Sequence, residues 1–521
     1  MTLQSLLSLA CSHQANGRWN HAISAYKDVL IRNPNQLQAI LGIAEIAKHL
    51  GQIDTAFQLF SQIINLDPKY ARAFGGRGQL LQMIGKPLNA ITDLSTAIGL
   101  GWKSAELFNS RGIAFAHAGK LEQAIADFNA AIKIQSNFAD AFFNRALAHR
   151  KNENYIAAIE DYTEALHLTP DHFQAYNNRG FAYRELGQID KAIADFLKSS
   201  KVNPKFHDGY WNASLGLLML GDYKRGWRLY EHRWQSAGFT SPRRDFLAPV
   251  WLGKERLAGK TILLHSEQGL GDSIQFCRYV PMVMSLGCKV ILEVEKPLIS
   301  LLKSLSARIQ IIEKNAAKPS FDYHCPLMSL PLAFSTKLET IPSTGPYLEV
   351  DDTRVKWWKV KLGASKKPRI GLVWRGNPKH PNDRNRSIIL RDIIAELSHD
   401  IDWISLQKNL SSDEKTLINA SKKITHLGDL TTDFADSGAL CSALDAILCV
   451  DTSIAHLGGA LGLPIYMLIP HIPDFRWQNS GSSTPWYDSF KIFRQGADRN
   501  WVKPLKIAQN SLLQDHHSQL Y

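Results

Sequence analysis

Apolar positions in the first 235 residues recur at helical spacing, and the helical pattern itself repeats. GKLEQAIADFNAAIKIQ (119–135) and GQIDKAIADFLKSSKVN (187–203) place Gly, Ala and Phe at the same offsets. The alanines Ala22, Ala56, Ala90, Ala124, Ala158 and Ala192 mark a period of 34 residues. Four positions later stand Tyr26, Phe60, Leu94, Phe128, Tyr162 and Phe196. Pro34, Pro68, Pro170 and Pro204 close their repeats, with Trp102 and Ser136 in that place twice. Residues 236–258 have no periodicity and read as a connector. From 260 onward, short apolar runs alternate with amphipathic stretches, which predicts a parallel sheet. The expected strands are TILLH (261–265), KVILEV (289–294), IQII (309–312), RIGLVW (369–374), DWISLQ (402–407), AILCV (446–450) and PIYMLI (464–469). Pro342 to Asp351 reads as a crossover.

A 34-residue period with small residues at these places is the tetratricopeptide (TPR) pattern, in which small residues let two antiparallel helices approach. It predicts an α-solenoid over 1–235, with six repeats and an altered seventh from 207, where Gly226 replaces the alanine. Such arrays stack into a superhelix whose concave face takes extended peptides.

Two polar ladders run through the array. Position 7 is Arg77, Arg111, Arg145 and Arg179 in repeats three to six, and position 23 is Asp93, Asp127, Asp161 and Asp195 in the same repeats. Repeats one, two and seven lack both. That correlation predicts partly buried ion pairs between the two helices of a repeat, rather than a basic stripe for an anionic partner. The second ladder is Asn144, Asn178 and Asn212 at position 6. An amide both donates to and accepts from a peptide backbone, so the row either holds an extended acceptor chain or is a set of solvated or locally capped amides.

A chain of 521 residues exceeds a single core. Its 45% hydrophobic and 21% charged residues are those of an ordinary globular protein. Six scattered cysteines without a CxxC pair argue against a zinc site or disulfide framework and for a reducing, cytoplasmic setting. The opening MTLQSLLSLACSHQ lacks a basic leader and fits the first repeat, so it is expected not to be a signal peptide. No apolar run approaches the ~20 residues of a membrane span. The net charge of +12 suits nucleic acid, an anionic membrane surface or a phosphorylated substrate, and chooses none.

Ligands of parallel sheets bind at the turns after the strands. After TILLH come Gly269, Gly271 and Asp272; the third glycine of a dinucleotide fingerprint is absent. After RIGLVW comes RGNPKHPNDRNRS (375–387), dense in cations and suited to a phosphate clamp. After AILCV comes DTSIAHLGGALGLP (451–464), where Asp451 or Thr452 would cap a helix with N–H groups facing an anion, and His456 lies one turn in. Singly, Asp272 and Asp451 read as helix caps and His456 as structural. Together, an acid, a cation cluster and an anion-ready helix start suggest a site for an activated, phosphorylated substrate.

GLGDSIQFCRYVP with DTSIAHLGGALG resembles the signature pair of glycosyltransferase family 9, the heptosyltransferase type. LLHSEQGLGDSIQF, GLVWRGNPKHPNDRNRSI, WISLQK, DFADSGALCSALDAILCVDTSIAHLGGALG and PDFRWQN are similar to bacterial TPR proteins with such a C-terminal domain. The resemblance covers about residues 205–500. The order of array and transferase is also similar to protein O-GlcNAc transferase, whose array carries an Asn ladder, which favours Asn144, Asn178 and Asn212 as an acceptor track.

The resemblance implies a GT-B fold of two Rossmann-like halves: a short first half (259–350), a donor-binding second half (351–510) and a loose tail (511–521). It implies an inverting, metal-independent glycosyltransferase that needs no cofactor and moves a sugar from a nucleotide sugar to a hydroxyl of a protein or peptide held by the array. A catalytically inactive TPR scaffold is the alternative. Asp272 would be the base. The implied donor set is Gly269, Gly271, Trp374, Arg375, Asn377, Lys379, Arg386, Ser387, Gln407, Lys408, Asp451, Thr452, Ser453 and His456. Asp400 and Asp402 form a DxD that precedes a strand and is not expected to hold a metal. Ser453 stands where the family often has Gly. A helix N-terminus lowers a carboxylate's pKa, so Asp272 either points away from the helix axis or orients rather than abstracts.

Overall fold

The computed structural model describes residues 1–342, 345–379 and 382–519. They divide into two compact units, Met1–Pro204 and Lys205–Tyr521. Among the described residues, fourteen α-helices run from Leu3–Ala15 to Tyr223–Tyr230, alternating along the chain as antiparallel pairs.

Within the first unit the repeat lattice has direct packing causes. Phe128 lies on Gly112 and Phe196 on Gly180; a Cβ on either glycine would come within 2.6 and 2.7 Å of the ring. Gly119 and Gly187 end the first helix of their pairs at φ +76° and +71°, and Glu153 takes the same lattice place at φ +59°. The Arg–Asp ladder is formed as the paired pattern predicts. Arg77 donates to both oxygens of Asp93 at 2.7 and 3.0 Å. Arg111–Asp127, Arg145–Asp161 and Arg179–Asp195 repeat that fork. The remaining guanidinium nitrogen reaches back 16 residues, to Ser61, Ser95, Asn129 and Thr163 at 3.2, 3.1, 2.5 and 3.0 Å. Each arginine thus ties its helix to the second helix of its own repeat and to that of the repeat before.

The altered seventh pair, His207–Met219 and Tyr223–Tyr230, lies in the second unit. Trp227 is buried there, edge-on to Phe276, Phe475 and Trp486. Beyond it, the fully buried Arg233 donates twice to Glu267 at 2.9 Å and once to Ser329 at 2.8 Å.

Among the described residues the strands form two parallel sheets. The first has the order β3-β2-β1-β4, with β1 Thr261–His265, β2 Lys289–Val294, β3 Gln310–Glu313 and β4 Tyr323–Pro326. The second has the order β10-β9-β8-β5-β6-β7, with β5 Arg369–Val373, β6 Asp402–Ser405, β7 Ile424–His426, β8 Ala446–Val450, β9 Ile465–Ile469 and β10 Phe490–Arg494. All seven expected strands are present. β4, β7 and β10 were not expected: two are very short, and β10, FKIFR, interleaves cations with its apolar residues. Of the segment expected to be a loose tail, residues 511–519 are ordered, and 520–521 lie outside the described residues. The ordered part belongs to the helix Val502–Gln519, whose Leu512 is buried against the second sheet's core. No described helix is long and apolar enough to cross a membrane.

Candidate functional site

In each sheet the strand order reverses at one point, β1/β4 in the first and β5/β8 in the second, and ligands of parallel sheets lie outside such points. The turn after β1 leads into the helix Leu270–Phe276; the turn after β8 leads into the helix Ser453–Ala460. These two helix starts meet. A Cβ on Gly271 would come 2.7 Å from His456 Cδ2 and 3.4 Å from Ser453 Cα. Gly271 is therefore required to be small by the helix that packs on it. Gly269 is the N-cap, and beyond Asp272 its added Cβ would meet nothing.

Asp272 sits in the first turn of its helix with 23% of its side chain exposed. Its carboxylate accepts from Arg476 Nη2 at 2.5 Å. Arg476 also donates to Gln275 Oε1 at 2.5 Å and to Asp474 Oδ1 at 2.8 Å, and its guanidinium lies over the Phe475 and Phe276 rings. Desolvation by the surrounding protein raises the Asp272 pKa, Arg476 and the Gly269 N–H oppose it, and the net direction is upward. The expected helix-terminus effect is thus outweighed, and the carboxyl is a better base than its position in the helix suggests.

Opposite lies an uncapped helix start. Thr452 is the N-cap of Ser453–Ala460, yet its side chain makes no capping hydrogen bond. Its hydroxyl is buried with no hydrogen-bond partner among the described residues, and so is Gln275 Nε2. Buried polar atoms are nearly always satisfied, and these two unsatisfied ones belong to the elements that meet at the Gly271–Ser453 contact. Asp451, beside them, is raised to about 6 by burial and by Asp474, with Arg386 acting against both. Arg386 is held by Asp383 at 3.3 Å, tight against Gly376, where a Cβ would come 2.5 Å from its guanidinium. Ser387 Oγ accepts the Gly376 N–H at 3.1 Å.

Other members of the expected donor set have structural duties. Trp374 is buried and donates its indole N–H to Glu414 at 2.8 Å. Arg375 forks onto the same carboxylate at 2.8 Å and so is not an open phosphate clamp. Gln407 is buried and accepts the Arg375 N–H at 3.3 Å, and Lys408 Nζ donates to the Thr431 carbonyl at 2.6 Å. His456 is buried, bonded to Tyr487 at 2.9 Å and stacked on Trp477; burial and nearby arginines hold it neutral, with a pKa well below its ordinary value. Asn377 accepts the Lys379 N–H at 3.0 Å, and the Lys379 side chain is exposed. Ser453 is half-buried at the helix start. His380 and Pro381 of the cation-rich turn lie outside the described residues.

The Asn ladder is not uniform. Asn144 does have a partner within the array: it donates to the buried Asn109 Oδ1 at 3.0 Å. The residue 35 before Asn178 is Phe143, and Asn178 is half-buried. Asn212 falls in the second unit and has interactions of its own. The residue that sequence reasoning missed is Arg476. It lies in the turn after β9, in PDFRWQN, a strand end outside the three turns that were weighed.

The N-terminal residues match the TPR family: the description "TPR repeat" at 112–153, and "Tetratricopeptide repeat" at 13–80, 139–172 and 173–206. Protein FlbA of Caulobacter vibrioides is 28% identical over 308 residues, covering 53% of this chain and 50% of that protein. The chain thus spans about half the length of the curated relative it matches. Among solved structures, YrrB, described as a TPR protein with an unusual peptide-binding site, is 18% identical with a TM-score of 0.32, covering 35% of this chain and 94% of that one. MamA is 25% identical with a TM-score of 0.30, covering 32% and 92%. The chain is thus an N-terminal TPR array followed by a region of parallel sheets, and such repeats suggest binding of proteins or peptides.

Proposed function

We propose that the second unit is an inverting glycosyltransferase of GT-B type that moves a sugar from a nucleotide sugar to a hydroxyl on a protein recruited by the array. The observation that carries this reading is the pairing of Asp272 with the uncapped helix start at Thr452, brought together by the Gly271–Ser453 contact. The acceptor hydroxyl gives its proton to Asp272 as its oxygen bonds to the anomeric carbon. The bond from that carbon to the donor diphosphate breaks, and the nucleoside diphosphate leaves with the electron pair. Arg386, the Thr452 hydroxyl and the first N–H groups of Ser453–Ala460 stabilise its charge. The resemblance of 205–500 to family 9 supports the reaction class, and the raised Asp272 pKa supports the base.

One observation favours the scaffold reading: Asp272 is already gripped by Arg476. Calorimetric titration with a panel of nucleotide sugars separates the two. The enzyme reading expects one donor to bind and to be turned over with a cell extract as acceptor source. Binding without turnover favours the scaffold, and absence of binding ends the enzyme reading.

A further inference from the structure

The helix Asp352–Leu362 presents a feature that the cleft does not use. Between 353 and 367 the chain carries Arg354, Lys356, Lys359, Lys361, Lys366 and Lys367 and no acidic residue. The helix is pinned by one tryptophan and displays the next. Trp358 is buried and donates its indole N–H to Asp436 at 2.9 Å. Trp357 is 56% exposed, set edge-on to Trp358 at 4.8 Å and flanked by Lys361 Nζ 5.0 Å from its ring centre. One turn on, Val360 is 81% exposed. Trp357 and Val360 lie three apart and so share a face, bordered by the exposed Lys356 and Lys361. Arg354 is paired with Asp433, whereas Lys356, Lys359 and Lys361 have no ion-pair partner among the described residues.

We infer that this face docks on an anionic lipid surface. An indole and a valine held outward by a rigid neighbour, ringed by unpaired lysines, match what a headgroup layer takes: aromatic and aliphatic groups at the acyl boundary, ammonium groups at the phosphates. A fully aqueous role would leave a fixed, exposed Trp–Val pair without use, and a nucleic acid would not call for the valine. The inference is independent of the glycosyltransferase reading, because the helix supplies no residue to the cleft.

Sedimentation of the full chain with vesicles tests it. Vesicles of phosphatidylcholine with phosphatidylglycerol should carry the protein down, pure phosphatidylcholine should not, and added salt should release it. Lys356→Ser and Lys361→Ser combined should lower partitioning roughly twenty-five-fold, at about fivefold per lysine. Trp357→Ser with Val360→Ser should weaken it by about tenfold or more at an unchanged circular dichroism spectrum. Failure of the wild-type chain to bind, equal binding to both vesicle types, or wild-type binding by both variants would overturn the inference. Retention on poly-glutamate with no vesicle binding would assign the face to an acidic protein instead.

Discussion

Asp272 takes its character from competing neighbours. Desolvation, Asp474 and Glu295 raise its pKa; Arg476 and the Gly269 N–H lower it. A base works only when deprotonated, so its pKa sets the acid limb of the rate profile. Removing the opposing charge with Arg476→Gln should move that limb to higher pH, while Arg476→Lys should leave it close to the wild type. A merely structural Arg476 would change the rate without moving the limb. In the proposed reaction Asp451 stands on the donor side. With its pKa raised to about 6, it is protonated below that pH and becomes an anion above it, a like charge to the proposed donor diphosphate. Donor affinity measured by calorimetry should therefore fall as pH rises through about 6, and Asp451→Asn should flatten the dependence.

At the scale of elements, the array's lattice makes sharp demands. Its turn place is glycine with positive φ at 119 and 187, but Glu153 at φ +59° in between. A side chain there costs about 1–2 kcal/mol, offset in part by the entropy of a new glycine, so Glu153→Gly should stabilise the array by about 0.5–1 kcal/mol in urea melts. Asp161→Ala would strand the inward-facing end of Arg145 and should cost about 3 kcal/mol. Asn129→Ala removes only the bond between repeats and should cost about 1 kcal/mol.

The intra-repeat pairs were legible because Arg and Asp covary along a single chain. The third contact was not, because Ser61, Ser95, Asn129 and Thr163 share a hydrogen-bonding capacity rather than an identity. The partner of Asn144 was hidden for a different reason: Asn109 stands one position off the 34-residue lattice. In the second unit, the buried strands were plain from their apolar runs. The role of each cation was not. Arg375 and Arg386 sit in one cation-rich turn, and only their carboxylate partners tell them apart: Glu414 of the helix Ser412–Ser421 for Arg375, and Asp383, one turn earlier in the chain, for Arg386.

The whole chain joins a TPR array to a unit of two parallel sheets, whose turns after β1 and β8 lead into helices that touch at Gly271 and Ser453. That second unit should also report acid. His265 and His324 face each other at 3.1 Å under Phe246, with Arg244 adding repulsion, and burial holds His324 down to about 4 and His265 well below its ordinary value. Both rings are neutral when folded, whereas an unfolded chain takes up protons near 6.5. Their contribution to stability is therefore complete above about pH 6.5 and is lost as pH falls toward 4. The melting temperature should drop across that window, and His324→Asn should blunt the drop.

The central claim is that Asp272 is the base of a donor-using enzyme. It is tested most directly by comparing wild type and Asp272→Asn for transfer from the nucleotide sugar that binds. The account predicts equal donor affinity and a loss of transfer on the order of a hundredfold or more in the variant. Transfer at the wild-type rate by Asp272→Asn would contradict it.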